Sequence, residues 1–174
     1  LSENPIIVAG GPCVANPEPL ADFIDCFQIG EGEEMMIDFL DLLNEYKKKN
    51  ASRKEFLIAV SQIEGIYVPS LYLVDYNEGG TIKQYTANGG APSVVNKRVV
   101  ADLDNIYYPE NFVVPFVEVV HDRVVHEIFR GCIRGCRFCQ AGFWYRPIRE
   151  KSVETISKQS RKIACETGYD ELSL

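Results

Sequence analysis

Three cysteines stand within eight residues of one another, in Cys132-Ile133-Arg134-Gly135-Cys136-Arg137-Phe138-Cys139. Gly131 and Gly135 give this stretch the freedom to curl, so that three sulfurs could converge on one centre. Arg130, Arg134, Arg137, Arg146 and Arg149 crowd the same segment. Positive charge favours the thiolate, which is the form that binds metal. Structural zinc asks for four ligands, usually two pairs of CxxC or CxxH type. Here there is one cluster and no second pair nearby, and His126 falls inside a predicted strand. The two-cluster ferredoxin spacing, CxxCxxCxxxC, differs as well. Three thiolates on one loop leave a metal position open, as in an iron–sulfur cube with one unligated iron, and an open position marks a reactive site. The alternative is a zinc-stabilised interaction module, which must recruit a fourth ligand such as Cys165 or a residue of a neighbouring chain.

The elements around the loop are those that α/β folds use to hold active sites. Residues 124–129 read as a strand that runs directly into the cysteine loop. Residues 152–167 read as a helix, with Ser152 as N-cap, Gly168 as C-cap and an apolar face of Val153, Ile156, Ile163 and Ala164. Residues 170–174 read as a further strand. A strand–helix–strand crossover of this length predicts parallel strands. Loops after parallel strands are where such folds place their chemistry.

Further forward, Pro5-Ile6-Ile7-Val8-Ala9-Gly10-Gly11 is a short apolar run ending in two glycines, as in a buried parallel strand. Residues 18–24 suggest a short helix and 26–29 a second strand. Residues 30–34 open a helix whose acids suit its N-terminus. Met36, Phe39 or Leu40, Leu43 and Tyr46 follow at helical spacing, and Lys47-Lys48-Lys49 suits the C-terminal end. Met35 and Met36 are expected in the core. Residues 51–63 read as another helix. Strands are expected around Tyr67, Leu71, Leu73 and Tyr76 and again over 82–86, flanking a turn at 77–80. Glycines 89 and 90 and prolines 92, 109 and 115 punctuate an irregular segment.

Composition narrows the function classes. The chain has 174 residues, of which 46% are hydrophobic and 25% charged, so it can bury a core. Its net charge is −7. The first 120 residues carry −10 and the rest +3. The acidic front argues against general nucleic-acid binding, and the basic back half suits an anionic ligand. The apolar stretch 112–120 is interrupted by Pro115 and Glu118, too soon for a membrane span. Cys13, Cys26 and Cys165 read as small buried hydrophobes or incidental thiols, and His121 and His126 as structural. With no secretory leader in view, free clustered cysteines suit a reducing cytoplasm.

The CxxxCxxC spacing, with Phe138 just before the third cysteine and a strand just before the loop, resembles the signature of radical S-adenosylmethionine proteins. The run from Phe129-Arg130-Gly131-Cys132 through Gln140-Ala141-Gly142-Phe143, and then Tyr145 to Ser152, is similar to uncharacterised members that carry a cobalamin-binding-like domain upstream. Ala9-Gly10-Gly11-Pro12 and Ile29-Gly30-Glu31-Gly32-Glu33 resemble the last βα units of that upstream domain. The resemblance implies three parts. Residues 1–50 would end a doubly wound, flavodoxin-like or cobalamin-binding-like α/β domain. Residues 51–120 would be a linker region with short strands. Residues 121–174 would begin a TIM-like radical SAM barrel.

It also implies roles. Cys132, Cys136 and Cys139 would ligate a 4Fe-4S cluster whose fourth iron holds S-adenosylmethionine. One electron would then cleave the sulfonium to methionine and a 5′-deoxyadenosyl radical, which takes hydrogen from a substrate. Phe138 would lie near the adenine, and Arg146 or Arg149 would meet anionic groups. The electron donor would be of flavodoxin or ferredoxin type. Cobalamin is a further cofactor in this picture, its cobalt-ligating histidine lying ahead of Leu1. The truncated-looking ends suggest an internal fragment that alone is not a competent enzyme.

Overall fold

The computed structural model describes residues 4–117 and 119–174, so the chain's start at Leu1 and the Glu118 interruption lie outside the described residues. The chain divides into two compact units, Leu1–Val99 and Val100–Leu174.

In the first unit, β1 (Val8–Ala9) and β2 (Cys26–Gln28) pair in parallel, Val8 opposite Cys26. The expected parallel pair is therefore present, but β1 is half-buried and Ile7 is exposed, so that strand is not a core strand. Between them the expected helix at 18–24 is only a 3₁₀ turn, Glu18–Leu20. Pro19 inside it has no N–H to extend an α-helical ladder.

After β2 come α1 (Gly32–Lys48) and α2 (Arg53–Val60). Ser52 starts α2 with a reciprocal capping box: its hydroxyl accepts from the Glu55 N–H, while the Glu55 carboxylate accepts from the Ser52 N–H. Strand β3 (Ile66–Tyr67) then joins β2 antiparallel, Phe27 opposite Tyr67. The order β1-β2-β3 is thus a mixed sheet rather than the all-parallel one expected of a doubly wound domain. Two helices in succession, where a doubly wound unit has one, reverse the direction in which the chain re-enters the sheet.

The core of this unit gathers Phe27, Met35, Phe39, Phe56, Val60 and Ile66, with Phe39 and Tyr46 presented edge-on to Phe56. Met36, expected in the core, is exposed instead. It neighbours Met35 on the helix, and adjacent helical positions point about 100° apart, so only one faces inward. Gln28 donates to the Met36 sulfur. A hairpin of β4 (Tyr72–Tyr76) and β5 (Ile82–Ala87) follows, closed by the Asn77 N–H donating to the Thr81 carbonyl at 2.8 Å. Gly30, at φ +117, lies against Arg98, and a Cβ there would sit 2.2 Å from the Arg98 carbonyl oxygen.

In the second unit the single strand expected over 124–129 is two strands. The first, β6 (Val124–Val125), pairs in parallel with β9 (Leu172–Ser173), the last strand of the chain. The second, β7 (Phe129–Arg130), pairs antiparallel with β8 (Arg149–Glu150). Between β6 and β7 the chain changes partners. The His126 N–H still donates to Ser173, the Glu127 N–H to the Tyr108 hydroxyl, and the Ile128 carbonyl accepts from Lys151.

A one-turn helix, α3 (Ala141–Trp144), lies between β7 and β8. Helix α4 (Val153–Thr167) spans the expected residues, with Ser152 accepting from the Thr155 N–H and Gly168 in the left-handed conformation at its end. Ile163 is buried, whereas Val153 is 72% exposed. Val153 opens the first turn, beyond the reach of the core. The parallel β6–α4–β9 unit matches the expected crossover. No helix among the described residues is long and apolar enough to cross a membrane.

Candidate metal centre

The cysteine loop hangs from the antiparallel β7–β8 pair, which joins its two ends. Gly131 makes the first bend at φ +103, and a Cβ there would stand 2.7 Å from the carbonyl oxygens of both Tyr145 and Pro147. Only glycine fits this bend, where the outgoing chain crosses the returning one. Gly135 makes a second left-handed turn at φ +64, with Arg146 Nη2 3.0 Å from where its Cβ would be. The Arg134 N–H points at Cys132 Sγ, 3.4 Å away, and the Cys139 N–H donates to the Cys136 carbonyl at 3.1 Å.

All three cysteines are free thiols. Cys136 is exposed, and Cys132 and Cys139 are partly so. Among the described residues, however, no three His, Cys, Asp or Glu side chains are gathered as a metal site. The loop therefore fits an iron–sulfur cluster in its donor set: three accessible thiols on a glycine-turned bend, one already receiving a backbone N–H as cluster sulfurs do. The zinc alternative needs a fourth ligand, and Cys165, exposed on α4, likewise joins no such group.

The other expected residues have distinct surroundings. Phe138 is 92% exposed beside Cys139. Arg146 lies over the Phe143 ring, 4.5 Å from its centroid. Arg149 donates to the carbonyls of Val100, Tyr145 and Pro147, so it braces the returning arm of the loop. Arg130 pairs with Glu127 through two 2.9 Å hydrogen bonds. Of the remaining cysteines only Cys26 is buried, and burial pushes its thiol up to about 12, so it is unreactive. Cys13 is exposed. It stands in a surface 3₁₀ turn, as Cys165 stands on the outer side of α4, so neither is a core residue.

His126 is structural, as expected. It is buried, with Nδ1 2.7 Å from Ser160 Oγ and Nε2 3.0 Å from Gln159 Oε1. Lys151, also buried, donates to the same Gln159 oxygen at 3.4 Å and lies 3.6 Å from the centroid of Tyr108. An ammonium can only donate, which fixes that amide oxygen as acceptor. Nε2 of His126 therefore carries the proton, and Nδ1 accepts from Ser160. Burial holds the imidazole below its ordinary pKa. This cluster of Tyr108, His126, Lys151, Gln159 and Ser160 lies between the loop's stem and α4. No spacing in the sequence announces it, because its members come from four separate segments.

Residues 1–69 match the family model described as the N-terminal region of radical SAM proteins. An uncharacterised protein of Methanocaldococcus jannaschii is 30% identical over 156 residues, which cover 88% of this chain and 27% of that relative. The chain thus spans about a quarter of the length of the curated relative it matches. No solved structure matches. The family match supports a radical SAM protein, and it falls on the first unit, away from the cysteines that carry the sequence signature.

Proposed function

We propose that this chain is part of a radical S-adenosylmethionine enzyme in which Cys132, Cys136 and Cys139 hold a 4Fe-4S cluster. The observation that carries the reading is the cysteine loop: three free thiols on a bend closed at its base by β7 and β8. The match of residues 1–69 supports it independently. When bound, such a cluster supplies the electron that splits S-adenosylmethionine into methionine and a 5′-deoxyadenosyl radical able to take hydrogen from a substrate.

The chain's own residues prepare that chemistry. Gly131 and Gly135 turn the backbone so that the three thiols share one bend. Arg134, Arg137 and Arg146 bring positive charge that favours thiolates. Phe138 offers an apolar ring face on which a purine can stack. Arg146, held over Phe143, is the cation for a carboxylate, and Arg149 fixes the loop's return. The same exposed arginines suit docking of an acidic one-electron donor of flavodoxin or ferredoxin type. The parallel β6–α4–β9 unit is read as the opening of a TIM-like barrel, and β1, β2 and α1 as the end of a cobalamin-binding-like domain. Cobalamin itself is assigned no residue here. A reducing cytoplasm suits six free cysteines.

Anaerobic reconstitution of the full-length protein with ferrous iron and sulfide tests the proposal. About four irons per chain and a broad visible absorbance are expected. Alanine at Cys132, Cys136 or Cys139 should abolish both, while alanine at Cys13 should change neither. One tightly bound zinc with no iron uptake overturns the reading.

A further inference from the structure

The first unit contains a cavity of about 700 Å³ that the proposed function leaves unused. It opens beside Ile7 and Asp25, which immediately precede β1 and β2. It therefore lies at the N-terminal ends of the parallel strands. An open α/β sheet binds its nucleotide-type cofactors at the opposite, C-terminal ends, so this is a different place. Its size falls within the ~300–1,000 Å³ range of small-molecule sites.

The lining has two characters. Its floor is aromatic: Tyr67 and Tyr72 are buried, their rings tilted 41° to each other with centroids 4.9 Å apart. Its mouth is acidic: Glu18 and Asp22 line it, and neither takes part in an ion pair among the described residues. The cation in the lining, Arg53, is already occupied by Asp25 and by the carbonyls of Asn4 and Pro5. Glu18 is held in place from below, because the hydroxyls of Tyr67 and Tyr85 both donate to its Oε1, at 2.5 and 2.6 Å. Burial and these bonds push Tyr67 far above the usual phenol range and Tyr85 up to about 12, so both stay protonated donors at physiological pH. The first 99 residues carry 8 Lys/Arg against 14 Asp/Glu, a net of −6, which draws cations toward this mouth.

We infer that this cavity is a binding site for a small organic cation: an amine or guanidine whose apolar or aromatic body rests on Tyr67 and Tyr72 while its charged head meets Glu18 and Asp22. Aromatic faces attract cations, and carboxylates give charge-assisted hydrogen bonds. An anionic ligand of the same shape is repelled by the carboxylates, and a neutral one gains neither an ion pair nor the cation–aromatic attraction. The inference is independent of the iron–sulfur reading and of the cysteine loop.

The test uses tyramine and its neutral analogue tyrosol, in which a hydroxyl replaces the amine, titrated into the full chain and followed by amide NMR. Tyramine should give saturable shifts confined to residues 21–25 and 67–74, with tyrosol at least tenfold weaker. Asp22→Asn, an exposed change, should weaken tyramine at least threefold and leave the spectrum of residues 32–60 unaltered. Ser70→Trp, which fills the cavity from its rim, should abolish the shifts with the rest of the spectrum retained. Equal binding of the two probes, shifts centred elsewhere, no saturable shift, or an unaffected Asp22→Asn variant each overturns the assignment.

Discussion

The two units are stabilised in different ways. Among the described residues thirteen buried hydrophobic side chains belong to Leu1–Val99 and only four, Val100, Leu103, Val124 and Ile163, to Val100–Leu174. Each unit also buries three polar side chains, Gln28, Glu31 and Ser61 in the first and His126, Lys151 and Gln159 in the second. In the second they join one network, with His126 and Lys151 sharing the Gln159 oxygen. Apolar burial is non-directional and tolerates small displacements. A polar cluster stabilises only when every partner is in place. The difference teaches that the loop is positioned by directional bonds: two rungs between β7 and β8, Arg149 on three carbonyls, and a buried polar cluster behind the stem. Such a loop has its base fixed by backbone pairing rather than by packing.

This contrast can be broken most readily at Phe56. It is fully buried between Phe39 and Tyr46, so Phe56→Ala should cost the first unit about 3–5 kcal/mol. Chemical denaturation followed separately in each unit by amide NMR checks it. A loss below 1 kcal/mol would remove the apolar side of the comparison.

In the second unit the expected weak point is backbone. Gly131→Ala should cost about 1–3 kcal/mol from its left-handed conformation alone, with crowding against Tyr145 and Pro147 adding to that. Iron uptake should fall with it. Full stability together with full iron uptake in that variant would show that the loop does not use this bend.

A finer comparison pairs the two capping serines. Ser52→Ala and Ser152→Ala should each cost about 1 kcal/mol. Ser52 should cost the more, because Glu55 answers it in a reciprocal box, whereas α4 has Thr155 at that position. Thermal melts of the two variants decide the order.

The smallest effect appears only on acidification. Both histidines of the chain lie in the second unit. Burial lowers the His126 pKa from its ordinary 6.5, with Lys151 adding to the depression and Gln159 and Glu127 opposing it. The unfolded chain therefore takes up a proton before the folded one does. The stability that neutral His126 contributes is full above about pH 6.5 and declines as pH falls from there toward its lower folded value. His126→Gln should flatten that decline in the second unit, and the first unit should show none between pH 7 and 6. An equal decline in both units would assign it to other groups.

Much of this arrangement is legible in the residues. Helices α1 and α4 follow from apolar spacing with acids or a serine at one end and lysines or a glycine at the other. The hairpin follows from its turn, and the parallel β6–β9 pair from crossover length. The cysteine loop is legible as a donor set because sulfur spacing is local. What escapes is set by contacts distant in sequence. Both helices ahead of β3 are legible, but the antiparallel direction in which Tyr67 meets Phe27 is not. The break at 126–128 arises because Tyr108, Lys151 and Ser173 each claim one backbone group there. Met35 and Met36 differ in which is buried, a choice that local pattern leaves undecided.

The closure of the cysteine loop by β7 and β8 also bears on how such a segment could change over time. Paired strands bring their backbones to roughly 5 Å of each other. Everything from Gly131 to Ile148 therefore leaves and rejoins the scaffold at neighbouring points. An insert mounted in this way can be lengthened, trimmed or exchanged for another without moving what lies on either side, which makes it a natural cassette for grafting.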